Sequence, residues 1–220
     1  MSINNYQLID EVKWGRKDIF EFFRPFLDSS VSVTTEVECG VTFSECKSRG
    51  TSFFLHSLYA VLKAANEIPE LRYRLKDGKP VIYDRIDALT PIKVNNMGKF
   101  VEAFVQYDID FTKFYREAYS AIHALNEESD PYAFVNAHKG ELGLMTISVT
   151  PGLYFTSIKH TQRQTYGNDY PLLNIGKVVS REGRQVMPVS ITVNHAFVDG
   201  HQLGLFFDKM NEWLSTYHEI

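Results

Sequence analysis

The segment Met187-Pro-Val-Ser-Ile-Thr-Val-Asn-His195-Ala-Phe-Val-Asp199-Gly-His201 carries the residues best suited to chemistry. An apolar run that reads as a strand ends in His195, and Asp199 and a glycine follow within the next turn of chain. This pattern sets an imidazole where a sheet gives way to a helix, and a side chain at such a break can face a cleft. Histidine is the side chain whose unperturbed pKa suits proton transfer near neutral pH. Asp199 can orient the ring, or hold the turn through an ion pair. Alone, H-x-x-x-D-G is a short pattern, and a histidine at a strand end is more often structural or solvated. A metal site built from His195, Asp199 and His201 lacks a fourth ligand at recognisable spacing, so no metal is expected. The chain has no G-x-x-x-x-G-K-[ST], no dinucleotide G-x-G-x-x-G, no H-E-x-x-H and no G-x-S-x-G. Cys39 and Cys46 cannot make a disulfide framework and fit no common zinc pattern, so both are read as plain thiols.

The elements that would position this segment can be read from periodicity and turn residues. Asp18 to Phe26 reads as a short helix with Asp18 as N-cap and Pro25 near its end. Val31 to Val37 alternates and is β-branched, hence a strand. Thr51 to Asn66 carries apolar residues at helical spacing, with a Ser or Thr upstream to cap it. Leu71 to Leu75 and Pro80 to Asp84 flank an Asp-Gly turn, the signature of a hairpin. Phe100 to Tyr107 reads as a strand and Asp110 to Leu125 as an amphipathic helix capped by Asp110 or Thr112. Glu127 to Glu141 reads as a polar loop with some helix. Strand-like runs follow at Leu142 to Val149, Leu153 to Lys159, Leu172 to Val179 and Gln185 to Val193, the last two joined by a turn at Glu182-Gly183. A final amphipathic helix runs from about Gly200 to Tyr217. Strands and helices without regular βαβ alternation predict an α+β fold with a large antiparallel or mixed sheet. Neither a repeat nor a Pro/Ser/Gly-rich linker divides the chain, so residues 1–220 read as one domain.

Composition agrees. The 220 residues are 44% apolar and 23% charged, the balance of an ordinary globular protein. At this length folding buries about 70% of the extended-chain surface, enough for a core without staples. Sixteen Phe and twelve Tyr exclude a disordered chain. A net charge of −4 argues against nucleic-acid binding driven by counterion release. The most apolar helix, Thr51 to Ala65, is too short to span a bilayer. The start of the chain lacks the basic, apolar and small-residue series of a signal peptide, so a cytoplasmic protein with no membrane partner is expected.

H-x-x-x-D-G after a Met-Pro-Val-Ser strand and before an apolar helix resembles the chloramphenicol acetyltransferase family. The same local pattern is similar to the acyltransferase core of 2-oxo-acid dehydrogenase complexes. The rest of the chain favours the first. Trp14-Gly-Arg16-Lys17-Asp18-Ile-Phe20-Glu21 resembles its W-x-R-x-x-x-F-E segment, and Pro151-Gly-Leu-Tyr-Phe155-Thr156-Ser157 its P-W-x-x-F-x-S segment. Ser32-Val33-Thr34, Glu70-Leu71-Arg72, Tyr83-Asp84, Pro171 and Lys177 keep the family's order. The fold implied is the CoA-dependent acyltransferase type, a mixed sheet flanked by helices.

The resemblance implies that His195 is the general base, taking a proton from an acceptor hydroxyl as it attacks the thioester of acetyl-CoA, with no acyl-enzyme. Ser157 matches the donor to the oxyanion. Arg16 and Asp199 match a buried ion pair that shapes the loop carrying His195. Phe23, Asn174, Lys177, Tyr154 and Gly152 fall on the implied substrate- and CoA-binding surface. The partners implied are acetyl-CoA as cosubstrate, a small-molecule alcohol, and two further copies of the chain in a trimer with active sites at subunit boundaries. The many aromatics of the sequence suit either such an interface or the core. Several positions depart from the family. Asn194 replaces the first of a histidine pair, and His201-Gln202 replaces an aromatic-His pair. Phe23 stands where tyrosine is common, Gly152 where tryptophan is common, and Asn174 in place of a threonine. Two classes remain open: an O-acetyltransferase acting on chloramphenicol or another hydroxylated molecule, and an inactive relative serving as a binding or structural module.

Overall fold

A computed structural model describes residues 4–161 and 170–220. In chain order the elements are β1 (Tyr6–Leu8), α1 (Lys17–Phe23), β2 (Ser30–Glu38), α2 (Gly40–Arg49), α3 (Phe53–Glu67), β3 (Tyr73–Lys76), β4 (Lys79–Tyr83), β5 (Asp87–Lys93), β6 (Phe100–Val105), α4 (Phe111–His123), α5 (Ala133–Ala137), β7 (Leu144–Val149), β8 (Leu172–Ile175), β9 (Val179–Arg181), β10 (Arg184–Asn194) and α6 (Gly200–Leu214). The main sheet runs β2-β10-β8-β7-β5-β6, with β9 also paired to β10, and a small sheet runs β1-β4-β3. In the main sheet β5–β7 and β7–β8 are parallel and the other pairs antiparallel. This is the expected α+β architecture with a mixed sheet.

The long strand β10 organises the molecule because its two faces have different chemistry. Successive side chains of a strand point to opposite faces. Val189, Ile191 and Val193 are buried in the main apolar core. Ser190 and Thr192 point the other way and meet hydroxyls of β2: Ser32 Oγ lies 2.7 Å from Thr192 Oγ1, and Thr34 Oγ1 donates to Ser190 Oγ at 3.0 Å. The core also takes α3, which buries Leu55, Leu58, Val61, Leu62 and Ala65, and α6, which buries Leu203, Phe206, Met210 and Leu214. A buried Leu or Val of this kind contributes about 1.5–3 kcal/mol. The largest buried aromatics, Tyr59, Tyr83, Phe20, Phe114, Phe197 and Phe206, sit in this interior, while Phe22, Phe26, Phe100 and Tyr132 are exposed.

Caps and turns follow the sequence where it is explicit. Ser52 Oγ accepts the Leu55 N–H at 3.3 Å, and Asp110 Oδ1 accepts the Lys113 N–H at 3.1 Å. Asp77-Gly78 and Glu182-Gly183 all have positive φ, as two-residue hairpin turns require. Asp18 is not the cap of α1: the helix starts at Lys17, and Asp18 lies in its first turn, where a carboxylate favours the helix dipole.

The run Leu153 to Lys159 forms no strand. A turn at Pro151-Gly152 closes with the Leu153 N–H on Thr150 O at 3.1 Å, and the chain then crosses the polar face of β2 and β10. Tyr154 donates its hydroxyl to Glu36, and His160 Nδ1 lies 3.0 Å from Thr192 Oγ1. The alternation in this run therefore serves side-chain docking onto the sheet. Gly176 makes the crossing close: a Cβ there would lie 2.5 Å from Pro188 Cγ and 2.8 Å from Leu153 O. Among the described residues no helix is long and apolar enough to cross a membrane.

Candidate active site

His195 is the first residue beyond β10, and three contacts fix it. Its N–H donates to Ser29 O at 2.8 Å, so the strand's path continues one residue past the last β2–β10 pair, Ser30 with Asn194. Its ring stacks on Phe23 of α1, with centroids 4.3 Å apart and an interplanar angle of 18°. Its Nδ1 lies 3.1 Å from Val198 O. A carbonyl oxygen only accepts, so Nδ1 carries the proton of the neutral ring and Nε2 keeps its lone pair. An imidazole held this way is ready to take a proton at Nε2.

The loop that follows is anchored on both sides. Phe197 is buried and stacks on Phe20 at 5.6 Å, with Trp14 and Tyr73 also against it. Asp199 caps α6 in a capping box: its Oδ1 accepts the His201 N–H at 3.0 Å, and its own N–H donates to Gln202 Oε1 at 3.1 Å. Gln202 in turn donates to Glu70 at 3.3 Å. The other carboxylate oxygen of Asp199 meets Arg16 Nη1 at 3.0 Å. The ion pair is thus formed, and it is only partly buried, with Arg16 12% and Asp199 32% exposed at the side chain. Burial acts to raise the Asp199 pKa, but the Arg16 and His201 hydrogen bonds outweigh it and hold the carboxyl below its ordinary value.

The Arg16 atoms Nε and Nη2 are buried without a hydrogen-bond partner among the described residues, so removal of Asp199 strands a mostly buried cation. Breaking one side of a fully buried pair costs about 3–5 kcal/mol, and the exposure of Asp199 reduces this to roughly 2–3 kcal/mol. Asp199→Ala is expected to lower thermal stability by that amount at neutral pH. A carboxyl with a depressed folded pKa stabilises fully above its unfolded value, about 3.9, and loses that contribution as pH falls through the folded value. The melting difference between parent and Asp199→Ala should therefore shrink in strong acid to the part that the helix cap supplies, since a protonated carboxyl still accepts the His201 N–H. An equal difference at all pH values would remove the ion pair from the explanation.

The other sequence-derived residues divide into two groups. Phe23, Arg16 and Asp199 gather around the His195 loop. Ser157, Tyr154 and Gly152 lie on the segment that crosses the polar face, and Ser157 is exposed. That segment is tied to Glu36 through Tyr154 and to Thr192 through His160, and Ser157 lies between these two anchors along the chain, whereas His195 stands just beyond the end of β10. No hydrogen bond joins the two residues. Tyr154 also accepts from Arg181 at 2.9 Å. Asn174 is buried on β8, its Oδ1 accepting from Thr150 Oγ1 at 2.6 Å. Lys177 borders an apolar cleft of about 310 Å³ walled by Phe43, Phe53, Phe54, Val149 and Ile175.

Two features escaped the sequence reading. Phe22 and Phe26 both pack edge-on against Phe23, are tilted against each other and remain exposed, so the ring that stacks on His195 belongs to an aromatic cluster. Ser29 touches both His195 and Asn194. An excess of phenylalanine in one short segment was the only local signal for the first, and none exists for the second.

Comparison with known proteins decides the family. The family model described as chloramphenicol acetyltransferase matches residues 4–211. The chain belongs to the chloramphenicol acetyltransferase family. A chloramphenicol acetyltransferase of Proteus mirabilis is 25% identical over 206 residues, covering 94% of this chain and 93% of that protein. A solved chloramphenicol acetyltransferase structure is 52% identical, with a TM-score of 0.91, covering 96% of this chain and all of that one. A structure titled as a probable dihydrolipoamide acetyltransferase from Listeria monocytogenes shares the fold alone, at 15% identity and a TM-score of 0.59 over 92% of each chain.

Proposed function

We propose that this protein is a CoA-dependent O-acetyltransferase that moves an acetyl group from acetyl-CoA to a hydroxyl of chloramphenicol or a related small molecule. The observation that carries the reading is the His195 ring, whose Nδ1–H is held by Val198 O and whose Nε2 is free to act as base. With both substrates bound, Nε2 takes the hydroxyl proton as the oxygen attacks the thioester carbonyl. The oxyanion of the tetrahedral intermediate accepts a hydrogen bond from Ser157. Collapse breaks the C–S bond, and the departing CoA thiolate recovers the proton from His195. The apolar cleft beside Lys177 suits an extended thioester donor, with the lysine facing its phosphates. Phe22, Phe23 and Phe26 suit an acceptor that presents an apolar or aromatic face.

Within one chain no hydrogen bond joins His195 to Ser157, and Ser157 is exposed. Both facts support an active homotrimer in which His195 of one subunit works with Ser157 of its neighbour across a cyclic interface.

The acceptor wall departs from the family at Phe23, Gly152 and Asn174. Discrimination follows differential transition-state binding, and each mismatched contact is worth only about 1–3 kcal/mol. Chloramphenicol should be acetylated with kcat/KM lowered on the order of 10²–10³ relative to a family enzyme of full efficiency, equivalent to two such losses. Another hydroxylated molecule is then the better acceptor. Steady-state kinetics across a panel of alcohols test this, and full efficiency on chloramphenicol would show the substitutions to be neutral.

A further inference from the structure

We propose that Ser29 and Asn194 form a two-point clamp that positions His195 for proton transfer, an inference that rests on the reading of His195 as the base. Ser29 acts twice. Its carbonyl accepts the His195 N–H at 2.8 Å, and its hydroxyl donates to Asn194 Oδ1 at 2.9 Å. The same Oδ1 accepts the Ala196 N–H, also at 2.9 Å. The backbone on both sides of His195 is therefore tied to one pair of side-chain and main-chain groups. The β2–β10 ladder ends at Ser30 and Asn194, so without the clamp the histidine would hang on the first unpaired residue of a strand end. With it, ladder order extends through His195 to Ala196.

Ser29 is itself placed. Asp28 Oδ1 accepts the Ser30 N–H at 2.9 Å, which shapes the turn that leads from α1 into β2. That connection begins close to Phe23, whose ring lies against the imidazole. One short stretch of chain, residues 23–30, thus supplies the stacking ring, the carbonyl and the hydroxyl that hold His195 from outside its own loop. Asn194 stands where a second histidine is usual for the family. The amide oxygen is a pure acceptor that takes two donors at once, the Ser29 hydroxyl and the Ala196 amide, without titrating near neutral pH. Ser29 and Asn194 touch neither substrate nor the transferred proton in this scheme. They act through His195, and are positioning residues.

Catalysis by a positioned base depends steeply on placement, and a displacement of about 1 Å can cost 10²-fold in rate. Ser29→Ala removes the hydroxyl and leaves the carbonyl contact. It is expected to lower kcat by about 10-fold and leave KM for acetyl-CoA within about twofold. Asn194→Ala frees Ala196 as well and should lower kcat by about 10- to 100-fold. Because the Ser29 hydroxyl works through Asn194, the double variant should be no slower than Asn194→Ala alone, a non-additivity that independent structural damage would not give. Ser29→Thr keeps both groups and should restore most of the rate.

The test is steady-state kinetics on the four variants in the full-length protein, with thermal melts, and His195→Ala measured beside them. Loss of kcat at constant KM, non-additivity and rescue by threonine support the clamp. A Ser29→Ala kcat within twofold of the parent overturns it, and this variant decides alone should Asn194→Ala fail to fold. A rise in KM with kcat unchanged also overturns it, since that would assign Ser29 to substrate binding. Should His195→Ala retain the parent rate, the functional reading falls and the clamp falls with it; a dead His195→Ala beside fully active clamp variants removes the clamp alone.

Discussion

His195→Ala is expected to lose acetyl transfer by about 10²–10⁴-fold, the range a positioned general base supplies. The fold should survive. The imidazole is only partly buried, its backbone contact to Ser29 persists in the alanine variant, and the loop keeps the Phe197 stack and the Asp199 cap. The loss should fall on kcat, because in the proposed role the ring takes the acceptor's proton and is not called on to hold the donor. The other histidines separate by their surroundings. His56 is fully buried among Phe111, Tyr115 and Tyr217, and burial lowers its pKa to about 4, so it is a neutral core group. Replacing His56 should affect stability more than rate. Activity of His195→Ala within a few-fold of the parent would contradict the assignment.

The second large effect is expected at Ser157. One aimed oxyanion donor is worth about 10²–10³ in kcat, so Ser157→Ala should fall by that factor. The exposure of Ser157 makes a sharper experiment available. In a trimer whose sites lie between subunits, mixing His195→Ala chains with Ser157→Ala chains creates some boundaries that carry an intact His195 and an intact Ser157. Co-refolded mixtures should recover a substantial fraction of parent activity, while each variant alone remains nearly inactive. A mixture no more active than its components, or an active monomer by sedimentation, would contradict the shared site.

What the sequence disclosed depended on whether the physics was local. Asp77-Gly78 announces its turn because few other pairs accept positive φ at both positions, and at Glu182-Gly183 the glycine alone is the signal. Ser52 and Asp110 announce helix starts through their own side chains. The His195 segment was legible because strand, break and capping aspartate are contiguous. By contrast α2 is built from Gly40, Thr42, Ser44 and Cys46 among others, residues of modest helix propensity, and tertiary packing holds it. The strand β5 carries Pro91, which argues against a strand in local terms and is tolerated within its pairing to β6. The run from Leu153 to Lys159 has strand-like alternation but docks on a sheet face instead of entering a ladder. The Phe23 stack and the Ser29 contacts join residues more than 160 positions apart, and no local pattern encodes them.

Acceptor-dependent thiol release tests the central claim most directly. Purified protein is given acetyl-CoA with and without chloramphenicol or another hydroxylated molecule, free thiol is followed, and the product is weighed by mass spectrometry. Thiol release should rise when an acceptor is present, match the acetylated product mole for mole, and disappear in His195→Ala. Thiol release that no alcohol accelerates, or acceptor-driven release that survives intact in His195→Ala, would contradict that claim.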